Sequence, residues 1–226
     1  MYWLKSQIPM NKTLYKKQLI QWMIGSIIFM IYQLSFASIR IDGSLNDWQS
    51  DKMVVILDKA EQRAESPGNW LGPDDLSGTI YMAEDAENIY LAAEIKDNKP
   101  LWNPRGAAIQ PAWWKTTYNG DALRVIVTSS GKTTNIFLFP GCFGIDPFIY
   151  VYQSTGTKPF QPTEVEIVSG YSEKYAGYVI ESRIPKTHFA LPLETATFQF
   201  ELFDSDGPAN SYKSLKGKPV SIPVKK

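Results

Sequence analysis

The side chains best suited to chemistry in this chain are aromatic rings and the polar groups close to them. A flat ring can cover the apolar C–H face of a sugar, while charged and amide groups bond to the hydroxyls around its rim. The longest connection between predicted strands, Asp97 to Gly120, is rich in such rings, and connections of this length are usually functional or disordered. Because aromatic residues are depleted in disorder, we expect an ordered loop that faces a ligand. The candidate ligand-binding residues are Trp102, Trp113, Trp114, Tyr118, Arg124 and Tyr212.

Carboxylates form a second set with chemical potential. Calcium takes six to eight oxygen ligands from carboxylates, carbonyls and water, often from loops. The alternative is that these acids cap turns by accepting hydrogen bonds from local amides, and the sequence leaves both interpretations open. The candidate calcium ligands are Asp75, Asp97 and Asp121, with Asp74, Asp204 and Asp206 as further donors.

The sequence patterns of common catalytic sites are missing. Glycoside hydrolysis needs two carboxylates at a defined separation, which a sequence does not give. His188 is the only histidine, there is no Gly-x-Ser-x-Gly elbow, and neither a phosphate-binding glycine loop nor zinc-ligand spacing is present. We predict that the chain is not an enzyme.

The first 37 residues have the pattern of a secretory signal peptide. Four lysines and no acidic residue precede an apolar run from Leu19 to Phe36, and the small residues Ser35 and Ala37 mark a cleavage point. We predict cleavage after Ala37, a single domain over residues 38–226, and export to the periplasm, the cell surface or the medium. The alternative is an uncleaved leader, since roughly 20 apolar residues span a bilayer. That leader would then be the chain's only contact with a membrane.

Charge and cysteine content narrow the partners further. Removing four lysines from 23 basic residues leaves 19 against 23 acidic residues, which disfavours nucleic acid as a partner. Cys142 is the only cysteine, so no disulfide can form within the chain.

Short runs with a period of two predict an all-β fold. Every second residue from Ile89 to Ile95 and from Phe198 to Leu202 is apolar. A strand with one apolar face needs a second sheet to cover it, so we predict a two-sheet antiparallel β-sandwich with jelly-roll or immunoglobulin-like layers. Ser129–Lys132 has the composition of a hairpin turn, and Trp48 is expected in the core. The predicted strands are Ile39–Ile41, Met53–Leu57, Gly78–Ala83, Ile89–Lys96, Ala122–Thr128, Thr133–Phe139, Phe148–Tyr152, Val165–Ser169, Ala176–Ile184 and Thr197–Phe203.

Five short segments follow one another along the predicted domain in an informative order. They are Asp42-Gly43 with Asp47-Trp48, the strand Ile89–Asp97, Tyr118 with Asp121, Gly177-Tyr178 with Glu181, and Asp204 with Asp206. In their order and spacing these segments resemble the family 9 carbohydrate-binding module. The resemblance covers nearly the whole predicted domain.

The resemblance implies a non-catalytic sandwich that binds a sugar between two aromatic rings backed by polar side chains. Tyr118 falls where the family carries one of those rings, and Tyr212 falls roughly where it carries the second. Both are Tyr where Trp is expected, and Arg124 stands where a sugar-contacting Glu is expected. Family members also commonly hold a structural calcium ion.

The function predicted from the sequence is binding of a mono- or polysaccharide by aromatic stacking and hydrogen bonding, in a secreted protein without catalysis. The alternative is a structural or protein-interaction sandwich, in the periplasm or at the cell surface, whose aromatic loop contacts a protein and binds no sugar.

Overall fold

The computed structural model describes residues 39–48, 52–64, 68–100, 120–141, 146–153, 161–172, 174, 176–205 and 212–221. These residues belong to one compact unit, which begins at Ile39. A helix with the length and apolar character needed to cross a bilayer does not occur among them.

In this described part of the chain, eleven strands form two antiparallel sheets. Short 3₁₀ turns lie at Leu45–Trp48, Ala60–Gln62, Lys186–Phe189 and Leu193–Thr195. The strands are β1 (Met53–Leu57), β2 (Leu76–Glu84), β3 (Asn88–Asp97), β4 (Ala122–Ser129), β5 (Lys132–Phe139), β6 (Phe148–Gln153), β7 (Glu166–Tyr171), β8 (Gly177–Pro185), β9 (Thr197–Asp204), β10 (Lys213–Lys216) and β11 (Val220–Ser221).

The strand order places sequence-distant segments side by side. The five-stranded sheet has the order β1-β2-β3-β8-β7, and the six-stranded sheet has the order β10-β9-β4-β5-β6, with β11 paired to β9. Because β3 and β9 end where β2, β4, β8 and β10 begin, six strand ends meet at one end of the molecule.

The core lies between the two sheets and is built from the residues that the alternation marks as apolar. Leu91 and Ile95 from the five-stranded sheet pack with Phe200 and Leu202 from the six-stranded sheet, all fully buried. Burial of each such side chain stabilises the fold by about 1.5–3 kcal/mol. The predicted all-β architecture of two antiparallel sheets is confirmed.

The hairpin predicted at Ser129–Lys132 joins β4 to β5. Ser130 has φ 51° and Gly131 has φ 74°. Two central residues with positive φ are the mark of the turn whose twist matches the flanking strands, and this explains why the sequence places glycine there.

One predicted strand is absent, and two observed strands were not predicted. Ile39–Ile41 is not a strand. The Arg40 amide donates to the side chain of Asp47, at 2.7 Å from Oδ2, and not to a neighbouring strand. The strands β10 and β11 were not predicted, because both are short and β10 begins and ends with lysine.

Candidate functional site

The opening segment Ile39–Trp48 is fixed to the outer face of the five-stranded sheet by one carboxylate. Glu181 on β8 is fully buried and accepts hydrogen bonds from Trp48 Nε1 at 2.6 Å and from the Asp42 amide at 3.2 Å. The Gly43 amide donates to the same carboxylate. Two of the segments that suggested the family thus form one structural contact, and the predicted burial of Trp48 is confirmed at 2% exposure.

Burial also sets the protonation of this carboxyl. Removal from water raises the pKa of Glu181 above its ordinary value, although the donors from Trp48, Gly43 and Asp42 oppose the shift. Nearby Asp47 adds to the increase in the pKa. The contact holds the segment in place, and it has no geometry that suggests catalysis.

Three buried aspartates meet where the six strand ends converge. Asp97 ends β3, Asp121 directly precedes β4, and Asp204 ends β9. One oxygen from each lies within 4.8 Å of the others, and each residue is at most 1% exposed. We call these three residues the acid cluster.

Lys213 lies between the acid cluster and Asp75. Its Nζ is 2.9 Å from Asp204 Oδ2 and 2.6 Å from Asp75 Oδ1. Asp75 also accepts hydrogen bonds from Asn98 Nδ2 and the Leu71 amide, both at 2.8 Å. The structure therefore brings together two of the three predicted calcium ligands, Asp97 and Asp121, with Asp204, which was predicted as a further donor. It places the third predicted ligand, Asp75, against Lys213.

The acid cluster suits a hard cation. Its donors are carboxylate oxygens, which calcium and magnesium prefer, and buried carboxylates this close repel one another unless positive charge lies beside them. The negative charge of the acid cluster also affects Tyr178. Burial, and after it the charges of Asp121, Asp97 and Asp204, raise the pKa of its phenol well above the ordinary value. The residues present thus fit the calcium ion that the family resemblance implies.

The outer face of the six-stranded sheet carries a row of polar side chains across four strands. Arg124 on β4 donates from Nε and Nη2 to Asn135 Oδ1 on β5, at 3.0 and 2.7 Å. Its Nη1 donates to Glu201 Oε2 on β9 at 3.1 Å, and Ser214 Oγ on β10 donates to Glu201 Oε1 at 3.1 Å. We call these four residues the polar row.

A group of aromatic side chains adjoins the polar row on the same outer face. The Arg124 guanidinium lies 5.5 Å from the Phe137 ring centre, and the Phe203 and Tyr212 rings are 5.8 Å apart. The second half of β5, residues 136–139, is apolar on both faces, which was the available sequence signal for this second cluster. Its members are Ala122, Phe137, Phe139, Phe203, Phe148, Tyr150 and Tyr212.

The predicted ligand-binding residues separate into two groups. Arg124 and Tyr212 lie on one face and border the same aromatic cluster. The other four lie outside the described residues: Trp102, Trp113, Trp114 and Tyr118.

Comparisons with known proteins agree with this geometry at the level of the fold. No protein-family model and no curated protein matches the chain. The fold resembles a family 9 carbohydrate-binding module from Caldicellulosiruptor kristjanssonii in complex with cellotriose, at 15% identity and a TM-score of 0.51, over 80% of each chain.

Two more solved structures are similar at lower TM-scores. A family 9 module from Caldicellulosiruptor kristjanssonii in complex with glucose has 15% identity and a TM-score of 0.48, over 80% of this chain and 82% of that one. A carbohydrate-binding protein from Bacteroides uniformis, so described provisionally, has 12% identity and a TM-score of 0.45, over 77% of this chain and 81% of that one.

Proposed function

We propose that this chain is a non-catalytic protein that binds a glycan on the outer face of the six-stranded sheet. The observation that carries the proposal is the polar row lying directly beside aromatic rings on one face. Most members of these two groups are buried, and among the described residues the parts that reach the surface are Arg124 and the half-buried rings of Phe148, Tyr150 and Tyr212. A placed polar group beside apolar rings is the general composition of a sugar or small-ligand site. The likeness in fold to a family 9 module supports the proposal, because a solved structure of such a module is a complex with cellotriose.

Arg124 is the polar group best placed to contact a hydroxyl. A guanidinium has five N–H donors, of which Asn135 and Glu201 take three. Among the described residues the other two N–H groups, one on Nη1 and one on Nη2, have no acceptor, and the side chain is 23% exposed. Because its neighbours hold the guanidinium in place, little side-chain freedom is lost when a hydroxyl binds.

Tyr212 supplies the flat surface in this proposal. Its ring is half-buried and rests on Phe203, so one face is supported by protein. The predicted loop residues Trp102, Trp113, Trp114 and Tyr118 would provide the opposing aromatic surface. Binding then consists of stacking and hydrogen bonding, with no bond made or broken.

The test compares two tyrosines in a glycan array followed by calorimetric titration, with cellotriose and glucose among the probes. Tyr212→Ala should weaken binding by about 1–3 kcal/mol, or roughly 5- to 150-fold in Kd. Tyr171→Ala is the matched control, because Tyr171 is 70% exposed on the other sheet and should leave Kd unchanged. Absence of any glycan response, with specific retention of a protein on the immobilised chain, would instead support the protein-interaction alternative.

We also propose that the acid cluster holds a calcium ion. Asp97, Asp121 and Asp204 would supply ligands, and the ion would supply structural cross-linking and no reaction chemistry. The cluster joins the ends of β3, β4 and β9, so it lies at the stems of the connections that contain most of the proposed ligand residues. Fixing these stems would limit the motion of the ligand face.

We also propose that the protein is exported, because residues 1–37 have the basic and apolar pattern of a leader. The exported protein is expected to begin at Ser38. Amino-terminal sequencing of material recovered outside the cytoplasm tests this, and a start within residues 1–37 would show that the leader is retained.

A further inference from the structure

Lys213 is a buried cation placed against the acid cluster. It begins β10 on the side of that strand that faces the core, and the next residue on that side, Leu215, is fully buried. Only 6% of Lys213 is exposed, and its Nζ lies 2.9 Å from Asp204 Oδ2. Asp204 therefore belongs at once to the acid cluster and to an ion pair with a buried lysine.

The second ion pair of Lys213 keeps the ammonium in this place. Asp75 Oδ1 lies 2.6 Å from Nζ, and Asp75 is only 5% exposed. Asp75 is itself fixed, because the Asn98 side chain and the Leu71 backbone amide each donate to it at 2.8 Å. An ammonium held between two buried carboxylates does not move into water when another cation approaches, so its charge persists beside the acid cluster.

We propose that Lys213 sets the affinity of the acid cluster for calcium, because it shares Asp204 with the ion and places a like charge beside it. This inference rests on the calcium site proposed above. The number of charges around a calcium site tunes its affinity, and like charges repel more strongly where water is excluded. Lys213 therefore weakens calcium binding.

This weakening fits the proposed destination of the protein. Cytosolic calcium buffers bind the ion tightly, whereas extracellular modules bind it weakly, and the difference lies in ligand charge and site rigidity. A buried lysine beside three aspartates moves the site toward the weak, extracellular range. The site then fills outside the cytoplasm, which is where the leader in residues 1–37 would deliver the chain.

The same ammonium stabilises the acid cluster before calcium binds. The three carboxylates have oxygens within 4.8 Å of one another and repel each other, and Lys213 offsets part of this repulsion from within the chain. Lys213 and Asp204 are also directly opposite one another in the ladder that joins β10 to β9. We therefore expect the wild type to fold without calcium, and a variant without this lysine to depend on calcium for its stability.

Calorimetric titration of the full chain with calcium tests the role of Lys213. Lys213→Met keeps a long unbranched side chain and removes the charge, so calcium should bind at least tenfold more tightly than to the wild type. Lys216→Met is the matched control, because Lys216 is on the same strand, is half-buried and lies on the opposite face. It should leave the Kd for calcium within twofold of the wild-type value.

Thermal unfolding followed by circular dichroism gives the second readout. In a chelator, Lys213→Met should have a lower Tm than the wild type, and added calcium should raise its Tm by more. If this variant is unfolded in the chelator, its refolding by added calcium gives the Kd. A lysine with only a structural role would lower the Tm and would not tighten calcium binding.

Asp75→Asn provides a variant with the opposite expected effect. Without the Asp75 charge, Lys213 has only Asp204 of its two ion-pair partners in the described part of the chain. Competition for Asp204 then increases, and calcium should bind at least threefold more weakly. If Lys213→Met stays unfolded even in excess calcium, an unchanged Kd in Asp75→Asn would overturn the proposal.

The outcomes separate this inference from the calcium site on which it rests. Calcium binding by the wild type, with an equal or weaker affinity in folded Lys213→Met, would overturn the role of Lys213 and leave the calcium site in place. No calcium binding by either protein would overturn both. Binding by Lys213→Met that is at least tenfold tighter, with Lys216→Met unchanged, is the result expected.

Discussion

The contact between Trp48 and Glu181 offers a direct test of how the opening segment is held. Trp48→Phe keeps most of the ring but removes the N–H that donates to Glu181 at 2.6 Å. A hydrogen bond to a charged group contributes about 1.5–3 kcal/mol, so we expect a loss of about 2 kcal/mol in the free energy of unfolding. Glu181→Gln replaces one acceptor oxygen by a donor that faces backbone amides, and we expect a loss of about 2–4 kcal/mol.

The double variant measures the coupling. Because both single changes break the same hydrogen bond, their effects should fall short of additivity by more than about 0.5 kcal/mol. The assay is urea unfolding followed by circular dichroism. The matched control is Trp70→Phe, because Trp70 Nε1 donates to the Leu76 carbonyl and does not contact Glu181. Its loss in the free energy of unfolding should add to that of Glu181→Gln. Additive effects for Trp48 and Glu181 would refute the proposed contact.

The wild type and Glu181→Gln should also differ in how their stability depends on pH. Because burial raises the pKa of Glu181, its protonated form is favoured in the folded state. The wild type should therefore lose stability, relative to Glu181→Gln, as the pH rises from the ordinary glutamate value through the raised pKa. Parallel stability curves across that window would contradict this assignment.

Three further predictions concern the metal, a glycine and a tyrosine. Calcium at 100 times its Kd should stabilise the fold by about 2.7 kcal/mol, which corresponds to a rise in Tm of about 5–11 °C. Asp121→Asn should abolish this rise. An unchanged wild-type Tm in excess calcium would exclude the site. Gly177→Ala should lower the free energy of unfolding by more than about 3 kcal/mol, because φ is +153° and a Cβ would lie 1.9 Å from a carbonyl oxygen of the adjacent strand. Gly170→Ala, with open space around it, should lower it by under about 1 kcal/mol. Similar urea midpoints for the two variants would contradict the Gly177 contact. Burial and the Asp85 carboxylate raise the pKa of Tyr90 to about 12, so Asp85→Asn should lower it in an alkaline absorbance titration and remove stability that is present below about pH 10 and lost towards pH 12.

The fold could be predicted because the alternation of apolar and polar residues marks most of the strands and their buried faces. In β3 and β9 the inward residues are apolar at every second position, and a strand with that pattern has to pack on another sheet. The strand β10 escaped prediction because its inward residue Lys213 is charged. That lysine is buried only because Asp75 and Asp204 surround it, and a local sequence window holds no sign of them.

The site could be predicted only in part, because its members are brought together by strand order. Asp97 and Asp121 flank the long connection and were predicted as ligands. Asp204 joins them because β9 pairs with β4, which the sequence does not state. Similarly, Glu181 and Trp48 are 133 residues apart, and each appeared only as a separate motif.

The central claim is that a glycan binds the outer face of the six-stranded sheet, and chemical-shift mapping tests it most directly. The isotopically labelled chain is titrated with the glycan that gives the strongest array signal. We predict shifts at the Arg124 side-chain N–H groups and at the Tyr212 ring, with Tyr171 and the Trp48 indole unchanged. Shifts confined to the five-stranded sheet, with Arg124 and Tyr212 unaffected, would contradict the account.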